Sequence, residues 1–155
     1  MWNTKSGRGE RMNAKEYLEQ YRAIRLKLVQ LNDRILSIET EVASYHPRQL
    51  DDSGASHLNY REDKIIKAME RMESLEEKKR ALVLRADEIK ENVGKVDDPL
   101  ESMVLWLRYI EPHPKKPYAP LGWREIGKRI NYSQEGAKKI HLRALKHLSE
   151  KCTES

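Results

Sequence analysis

The sequence predicts an all-α protein in which an N-terminal antiparallel helical hairpin, a coiled coil, precedes a C-terminal group of shorter helices. Two long stretches repeat apolar residues at alternating spacings of three and four, the a/d pattern of packed helices. Charged residues make up 35% of the 155 residues and hydrophobic residues 38%, and Phe is absent. This composition favours helices that bury a narrow seam over a large globular core. The predicted organisation is a disordered tail at 1–12, a helical hairpin at 13–96 and a separate domain at 97–155.

The first long helix is predicted over residues 13–43. No Gly or Pro interrupts its apolar stripe, which comprises Tyr17, Tyr21, Ile24, Leu28, Leu31, Ile35, Ile38 and Val42. A helix of this length needs a partner that covers the stripe. Residues 44–60 contain Pro47 and the cluster Asp51-Asp52-Ser53-Gly54, so we expect a connecting loop there that is long enough to be mobile.

The second long helix is predicted over residues 61–93, with Gly94 as its C-cap. Its stripe comprises Ile65, Ala68, Met72, Leu75, Lys79, Leu82, Ala86, Ile89 and Val93. Both helices also carry apolar residues off the stripe, namely Leu18, Leu26, Leu36, Ile66, Met69 and Leu84. This surplus apolar surface predicts a homodimer formed through the hairpin.

The C-terminal domain opens with a helix-start signal at Asp98-Pro99-Leu100-Glu101. We expect this helix to end before Pro112 and to bury Leu100, Met103, Val104, Leu107 and Ile110. Residues 112–120 contain four prolines and predict a stiff, extended connector. A short helix then carries Trp123, Ile126, Gly127 and Ile130 on one face. Ser133 is predicted to cap a last helix from Gln134 to about Ser149, which packs through Ala137, Ile140, Ala144, Leu145 and Leu148. Trp106 and Trp123 are expected in the core.

Positive charge is concentrated in this domain. Residues 113–151 carry ten cations and three anions, a net charge of +7, whereas the other 116 residues carry a net charge of −2. Two short helices joined by a tight turn, the second of them basic on its outer face, predict a helix-turn-helix that binds double-stranded DNA. The same pattern would also arise on the solvated face of a packing helix.

The outer face of the last helix supplies the candidate base contacts. Gln134 and Glu135 can hydrogen-bond base edges, Lys138 and Lys139 can reach guanine or phosphate, and exposed Leu142 can contact a thymine methyl or a protein partner. Arg143 flanks this face. Backbone phosphates are the expected contacts of the remaining cations, Arg124, Lys128, Arg129, Lys146, Lys115 and Lys116.

Other function classes lack their signals. No stretch approaches the ~18 apolar residues of a membrane span, and no apolar block follows the first basic residues, so we expect neither a membrane partner nor a signal peptide. The single cysteine, Cys152, excludes an internal disulfide and suits a reducing cytoplasm. His141, His147 and Cys152 lack metal-ligand spacing and are expected to be free surface groups. With no Gly-rich phosphate loop and no nucleophile motif, we expect no enzymatic activity and no cofactor.

Three segments carry a resemblance to a known family. The run Glu125-Ile126-Gly127-Lys128-Arg129-Ile130, the segment 131–140 (NYSQEGAKKI) and the run Arg143-Ala144-Leu145-Lys146-His147-Leu148 resemble region 4 of sigma-70-type factors, within residues 98–149. Together with a helical hairpin that begins near Met12, they resemble small phage and prophage transcriptional regulators of Gram-positive bacteria, of the ArpU/RinA late-gene type. The resemblance implies a sequence-specific regulator in the bacterial cytoplasm that reads a promoter element with Gln134, Glu135, Lys138 and Lys139.

The chain departs from the sigma pattern in three ways. Its connector 112–120 is longer than the usual turn, Gly136 stands where a cation is often found, and nothing resembles the region that melts promoter DNA. We therefore do not expect a complete sigma factor. The chain should bind duplex DNA near a promoter, bind RNA polymerase, or do both. Two alternatives stay open, a protein-interaction module that docks on RNA polymerase and a recognition subunit for phage DNA packaging.

Overall fold

The protein is all-helical, as the sequence predicts. A computed structural model describes residues 13–45 and 55–153, and every regular element in these ranges is a helix. The elements are α1 (Ala14–Ser44), α2 (Ala55–Gly94), α3 (Pro99–Leu105), a π-helical turn (Trp106–Ile110), α4 (Trp123–Ile130) and α5 (Gln134–Thr153). The predicted tail at 1–12 and residues 46–54 of the predicted loop lie outside the described residues. Within the described ranges, no helix is both long and apolar enough to cross a membrane.

The start of the second long helix differs from the prediction. Helix α2 begins at Ala55, so residues 55–60 are helical although the sequence predicts them in the loop. The turn-forming residues end at Gly54, and nothing after it in this segment is Gly or Pro. Helix α2 ends at Gly94, the position predicted for its C-cap, although the φ of Gly94 lies outside the left-handed region.

The helices contribute to two compact units, one formed by residues 27–84 and the other by residues up to 26 together with residues from 85 onward. In the 27–84 unit, Leu31 and Ile35 of α1 pack with Leu75 of α2. An ion pair of 3.3 Å joins Arg71 Nη2 to Glu41 Oε2 on the surface. The core residues are members of the predicted stripes, which are buried or half-buried along most of their described lengths.

The second unit contains the start of α1, the end of α2 and all the shorter helices. The amide of Asn92 donates to Tyr17 Oη at 2.6 Å, and Arg85 donates to Gln20 Oε1 at 2.9 Å. Leu18, expected to form part of the surplus apolar surface, is fully buried here. The other five residues of that predicted surface are exposed: Leu26, Leu36, Ile66, Met69 and Leu84.

Helix α3 starts as predicted but continues into a π-helical turn. Asp98 Oδ1 accepts the Leu100 N–H at 2.8 Å. The Glu111 N–H donates to the carbonyl of Trp106, five residues back, at 2.9 Å. Of the predicted apolar face, Leu100, Val104, Leu107 and Ile110 are buried or half-buried, and Met103 is 45% exposed. The π-turn adds a residue to the helical repeat, and within it Tyr109 is buried while Trp106, which was expected in the core, is 41% exposed.

The proline-rich connector is turned rather than extended, which corrects the prediction. The Nδ1 atom of His113 accepts the backbone N–H groups of Lys115 and Lys116, each at 3.1 Å. The Ala119 N–H donates to the Lys116 carbonyl at 2.9 Å. These local hydrogen bonds satisfy backbone groups that an extended segment would leave to water.

Helices α4 and α5 share one core with α3. It contains Val104, Leu107, Leu121, Ile126, Ile130, Ala137 and Ile140. Between α4 and α5, Asn131 adopts a left-handed conformation with φ 61°, and the Tyr132 N–H donates to the Gly127 carbonyl at 2.8 Å. Ser133 Oγ then accepts the Gly136 N–H at 3.0 Å, as the capping prediction requires.

Gly127 allows the turn to fold back onto α4. A Cβ atom at this position would lie 2.7 Å from the Tyr132 carbonyl oxygen and 3.2 Å from that of Ser133. Both neighbours are backbone atoms and cannot rotate away. Only glycine therefore fits at this point of the turn.

We predict that Gly127→Ala lowers the free energy of unfolding by about 1–3 kcal/mol, the usual cost of an overpacked site. Thermal or urea unfolding followed by circular dichroism measures the change. Gly94→Ala is the matched control, because a Cβ there meets nothing within 4 Å, and its stability should stay equal or rise slightly. Equal stability of Gly127→Ala and the native chain would contradict the close approach.

Candidate nucleic-acid interface

Helix α5 divides into a buried face and an exposed face. Ala137, Ile140, Ala144 and Leu148 are each at most 2% exposed. The opposite side, which we term the cationic face, carries residues that are exposed or half-exposed: Glu135, Lys138, Lys139, Leu142 and Lys146. Gln134 and Arg143 beside it are exposed as well. All seven sequence-predicted residues of α5 therefore lie at the surface.

The predicted cations differ in whether an acid already neutralises them. Lys139, Arg143 and Lys146 on α5 form no ion pair with any residue in the described ranges, and the same holds for Arg124 and Lys128 on α4. The connector residues Lys115 and Lys116 are exposed. These side chains can meet an external anion without breaking an ion pair inside the described part of the protein.

Two other predicted cations are engaged within the chain. Lys138 Nζ lies 3.5 Å from Glu135 Oε1. Arg129 Nη1 donates to Glu111 Oε1 at 2.7 Å, and Arg129 Nε lies 3.9 Å from Glu125 Oε1. The hydrogen bond to Glu111 raises the pKa of Arg129. A phosphate contact by Arg129 would compete with this pair, so Arg129 is a weaker candidate than the sequence suggests.

A cluster of rings packs around His141 on the buried side of α5. The His141 ring lies 4.6 Å from the Trp123 ring, centroid to centroid, and stacks on the Tyr109 ring at 5.6 Å. Tyr109 Oη and His141 Nε2 are joined by a hydrogen bond of 2.7 Å. The guanidinium of Arg108 lies 4.4 Å from the centroid of the Trp123 ring. We term these four residues the aromatic cluster.

Arg108 connects the aromatic cluster to the rest of its unit. Its Nη1 donates to the Leu121 carbonyl at 2.6 Å, and its own carbonyl accepts a hydrogen bond from the guanidinium of Arg22. Burial is the largest cause that lowers the pKa of Arg108 and of Arg22. The contacts therefore join α1, the π-turn, Leu121 just before α4, α4 itself and α5.

His141 contradicts the expectation that it is a free surface group. It is 7% exposed, and burial, followed by the positive charges of Arg108 and Lys15, lowers its pKa to about 4. Burial also raises the pKa of Tyr109 to about 12. Both groups are thus uncharged at neutral pH, so Nε2 accepts from the phenol when the ring proton is on Nδ1. The sequence did hold a signal, because His141 follows the inward-facing Ala137 by four residues.

His147 also has a partner, contrary to the expectation. Its Nδ1 atom lies 2.7 Å from Oε2 of Glu101, whose side chain is 3% exposed. Nearby, Lys151 Nζ donates to the Lys95 carbonyl at 2.8 Å and to Asp97 Oδ1 at 2.6 Å. These contacts anchor the end of α5 and leave Lys151 outside the candidate interface. The side chain of Cys152 lies outside the described residues.

The described part of the chain offers no group of three or more His, Cys, Asp or Glu side chains arranged to hold a metal ion.

Comparisons with protein-family models, with curated proteins and with solved structures find no match for this chain. Its function is therefore inferred from its residues and geometry.

We predict that acid destabilises the protein through His141. Its folded-state pKa of about 4 lies below the ordinary value of 6.5, so between these pH values the unfolded chain binds a proton that the folded chain does not. Stability should fall as the pH drops from about 6.5 to 4, by up to roughly 3 kcal/mol, and this loss should level off below pH 4.

Urea unfolding at a series of pH values measures this loss. His141→Gln is the comparison, because an amide oxygen can still accept the Tyr109 hydroxyl but does not titrate. The variant should be less stable at pH 7.5 and lose less stability toward pH 4.5. Identical pH profiles would disprove the role of His141.

Proposed function

We propose that the chain is a sequence-specific transcriptional regulator that binds double-stranded DNA. In this proposal α4, the turn at Asn131–Ser133 and α5 act as a helix-turn-helix, and the cationic face of α5 enters the major groove. The observation that carries the proposal is the division of α5. One face is packed in the same core as α4, and the opposite face is exposed and contains lysines without intramolecular ion pairs in the described ranges.

Contacts to backbone phosphates and contacts to base edges would have different roles. Lys139, Lys146 and Arg143, together with Arg124 and Lys128 on α4, would neutralise backbone phosphates and release counterions. Gln134 and Glu135, in the first turn of α5, would hydrogen-bond base edges. The Glu135–Lys138 ion pair supports this arrangement, because the neighbouring ammonium offsets the repulsion between a carboxylate and the phosphates.

The resemblance to sigma-70 region 4 and to ArpU/RinA-type regulators supports a phage or prophage regulator in a bacterial cytoplasm. Docking on RNA polymerase is the second candidate function, favoured by the exposed apolar side chains of Met103 and Trp106. A chain that works by such docking alone needs no affinity for duplex DNA. A DNA-binding experiment therefore separates the two functions.

We predict that binding weakens with salt through the free lysines of α5. Replacing Lys139 and Lys146 by Ala should reduce the slope of log K against log salt by about two, or roughly one per phosphate contact. Fluorescence anisotropy of a labelled duplex, chosen by selection from random sequences, measures the slope. Lys67→Ala with Arg80→Ala, at two exposed cations of the 27–84 unit, is the control and should leave the slope unchanged.

The same duplexes test the base contacts. Gln134→Ala with Glu135→Ala should reduce the preference for the selected sequence over random DNA. The salt slope should not decrease, because neither residue is a cation and Lys138 loses its acidic partner. Absence of binding at low salt would reject the DNA-binding function. Binding with an unchanged sequence preference would reject only these two residues as the readers.

Homodimerisation through a helical hairpin of α1 and α2 is part of the proposal. Leu36 and Ile66 are 61% and 54% exposed in the 27–84 unit. This unit also has an open groove of about 680 Å³ whose lining includes Leu31, Ala81 and Leu82. Burying this apolar surface against a second copy would remove it from water. A dimer would also let two α5 helices contact neighbouring half-sites.

We predict that analytical ultracentrifugation gives about twice the chain mass of 18.2 kDa. Leu36→Glu with Ile66→Glu should shift the sample toward monomer, because the dimer would then have to bury two carboxylates. Ser37→Glu, which adds a charge at an exposed polar neighbour, is the control and should leave the dimer intact. A native chain that stays monomeric across concentrations would contradict this part of the proposal.

A further inference from the structure

The cationic face contains one apolar side chain at its centre. Leu142 is 66% exposed, whereas Ile140 and Leu148 of the same helix are at most 2% exposed and Leu145 is half-buried. Among the described residues of α5, Leu142 is the only large apolar side chain that faces away from the core.

Charged residues surround Leu142 on this face. At 100° per residue, Lys138, Lys139 and Lys146 lie one turn before or after it, and Glu135 lies two turns before it. Contact with a second apolar protein surface would bring these three lysines into the interface and desolvate them. Binding to DNA, a polyanion, avoids this desolvation of unpaired lysines, because its phosphates attract them. The same phosphates flank a groove that the leucine can enter.

The major groove of DNA presents one kind of apolar group, the C5-methyl of a pyrimidine, which is thymine in unmodified DNA. We propose that Leu142 is a specificity-determining residue that contacts such a C5-methyl group and selects a thymine within the bound site. This inference rests on the proposed function and adds a base preference to it.

The helix geometry also gives the position of the thymine. Leu142 lies seven residues after Glu135, or about 10 Å along the axis of α5 at 1.5 Å per residue. Base pairs are stacked about 3.4 Å apart. Because a helix in the major groove follows the groove rather than the duplex axis, the selected thymine should lie about two to three base pairs from the base that Glu135 contacts.

The test removes the methyl group and the leucine separately and together. The full-length chain is titrated with its selected duplex, and with duplexes in which each thymine of the site is replaced in turn by deoxyuridine. This replacement deletes the methyl and keeps the base pair. At one position, deoxyuridine should raise the Kd of the native chain about fourfold, the value of one buried methyl group.

Leu142→Ala should raise the Kd of the thymine duplex by a similar or larger factor and should show no further loss with deoxyuridine. Because Leu142 is exposed, the variant should melt at the native temperature, so the change in affinity is not a folding defect. Val29→Ala is the matched control, since Val29 is an apolar residue that is 43% exposed on α1, and it should keep the full dependence on the methyl group. A duplex with 5-methylcytosine at the same position shows whether the methyl alone is recognised or thymine as a whole.

The outcomes separate this inference from the proposed function. Failure of every duplex to bind rejects both. Tight, sequence-specific binding without any thymine whose methyl matters overturns the role of Leu142 and leaves the DNA-binding function intact. A Leu142→Ala variant that retains the native dependence on the methyl group overturns that role as well.

Discussion

The rotation of α5 about its axis, and so the face that it exposes, depends on the contact between His141 and the rings of Trp123 and Tyr109. A helix with one face in solvent is held by its other face alone, so its rotation is set by what packs beneath it. Apolar residues such as Ile140 supply most of that packing, but they do not prescribe a direction. Two contacts do fix the direction: the Tyr109–His141 hydrogen bond of 2.7 Å and the Arg108–Trp123 contact. Each requires a particular orientation of the two groups relative to one another. This arrangement also keeps His141 uncharged, since a charged imidazole would have to be buried beside Arg108.

The distribution of hydrogen bonds and ion pairs separates the cations that maintain the fold from those that remain available to contact phosphate. Arg22 and Arg108 bond backbone carbonyls inside their unit, and Lys151 holds the end of α5 to Asp97. Arg129 is paired with Glu111. The lysines of the cationic face remain, apart from Lys138, without an acid in the described residues. Net charge alone therefore overstates the number of cations that can contact phosphate, and pairing within the chain identifies the stronger candidates.

The prediction is correct where a local rule acts on neighbouring residues and less accurate where distant residues compete. The cap of Asp98 on α3 and of Ser133 on α5 each involve a side chain and an N–H two or three residues away, and both are present. Four of the five residues predicted on the apolar face of α3 are buried or half-buried, but the π-turn at Trp106–Ile110, which exposes Trp106 and buries Tyr109, was not predicted. No short sequence pattern predicts a π-turn, because such a turn is stabilised by the packing of the surrounding elements.

The amino-acid order alone was sufficient for the all-α class, for the buried stripes of α1 and α2 and for the exposure of the candidate DNA-contacting residues on α5. Each of these follows from helical periodicity and from the cost of burying charge, which act within a few turns of one helix. The partners of His141, His147 and Arg129 emerged only once the chain was folded, since Tyr109, Glu101 and Glu111 lie 32, 46 and 18 residues away along the chain. Such pairs depend on which helices meet and at what rotation, and periodicity within one helix does not contain that information.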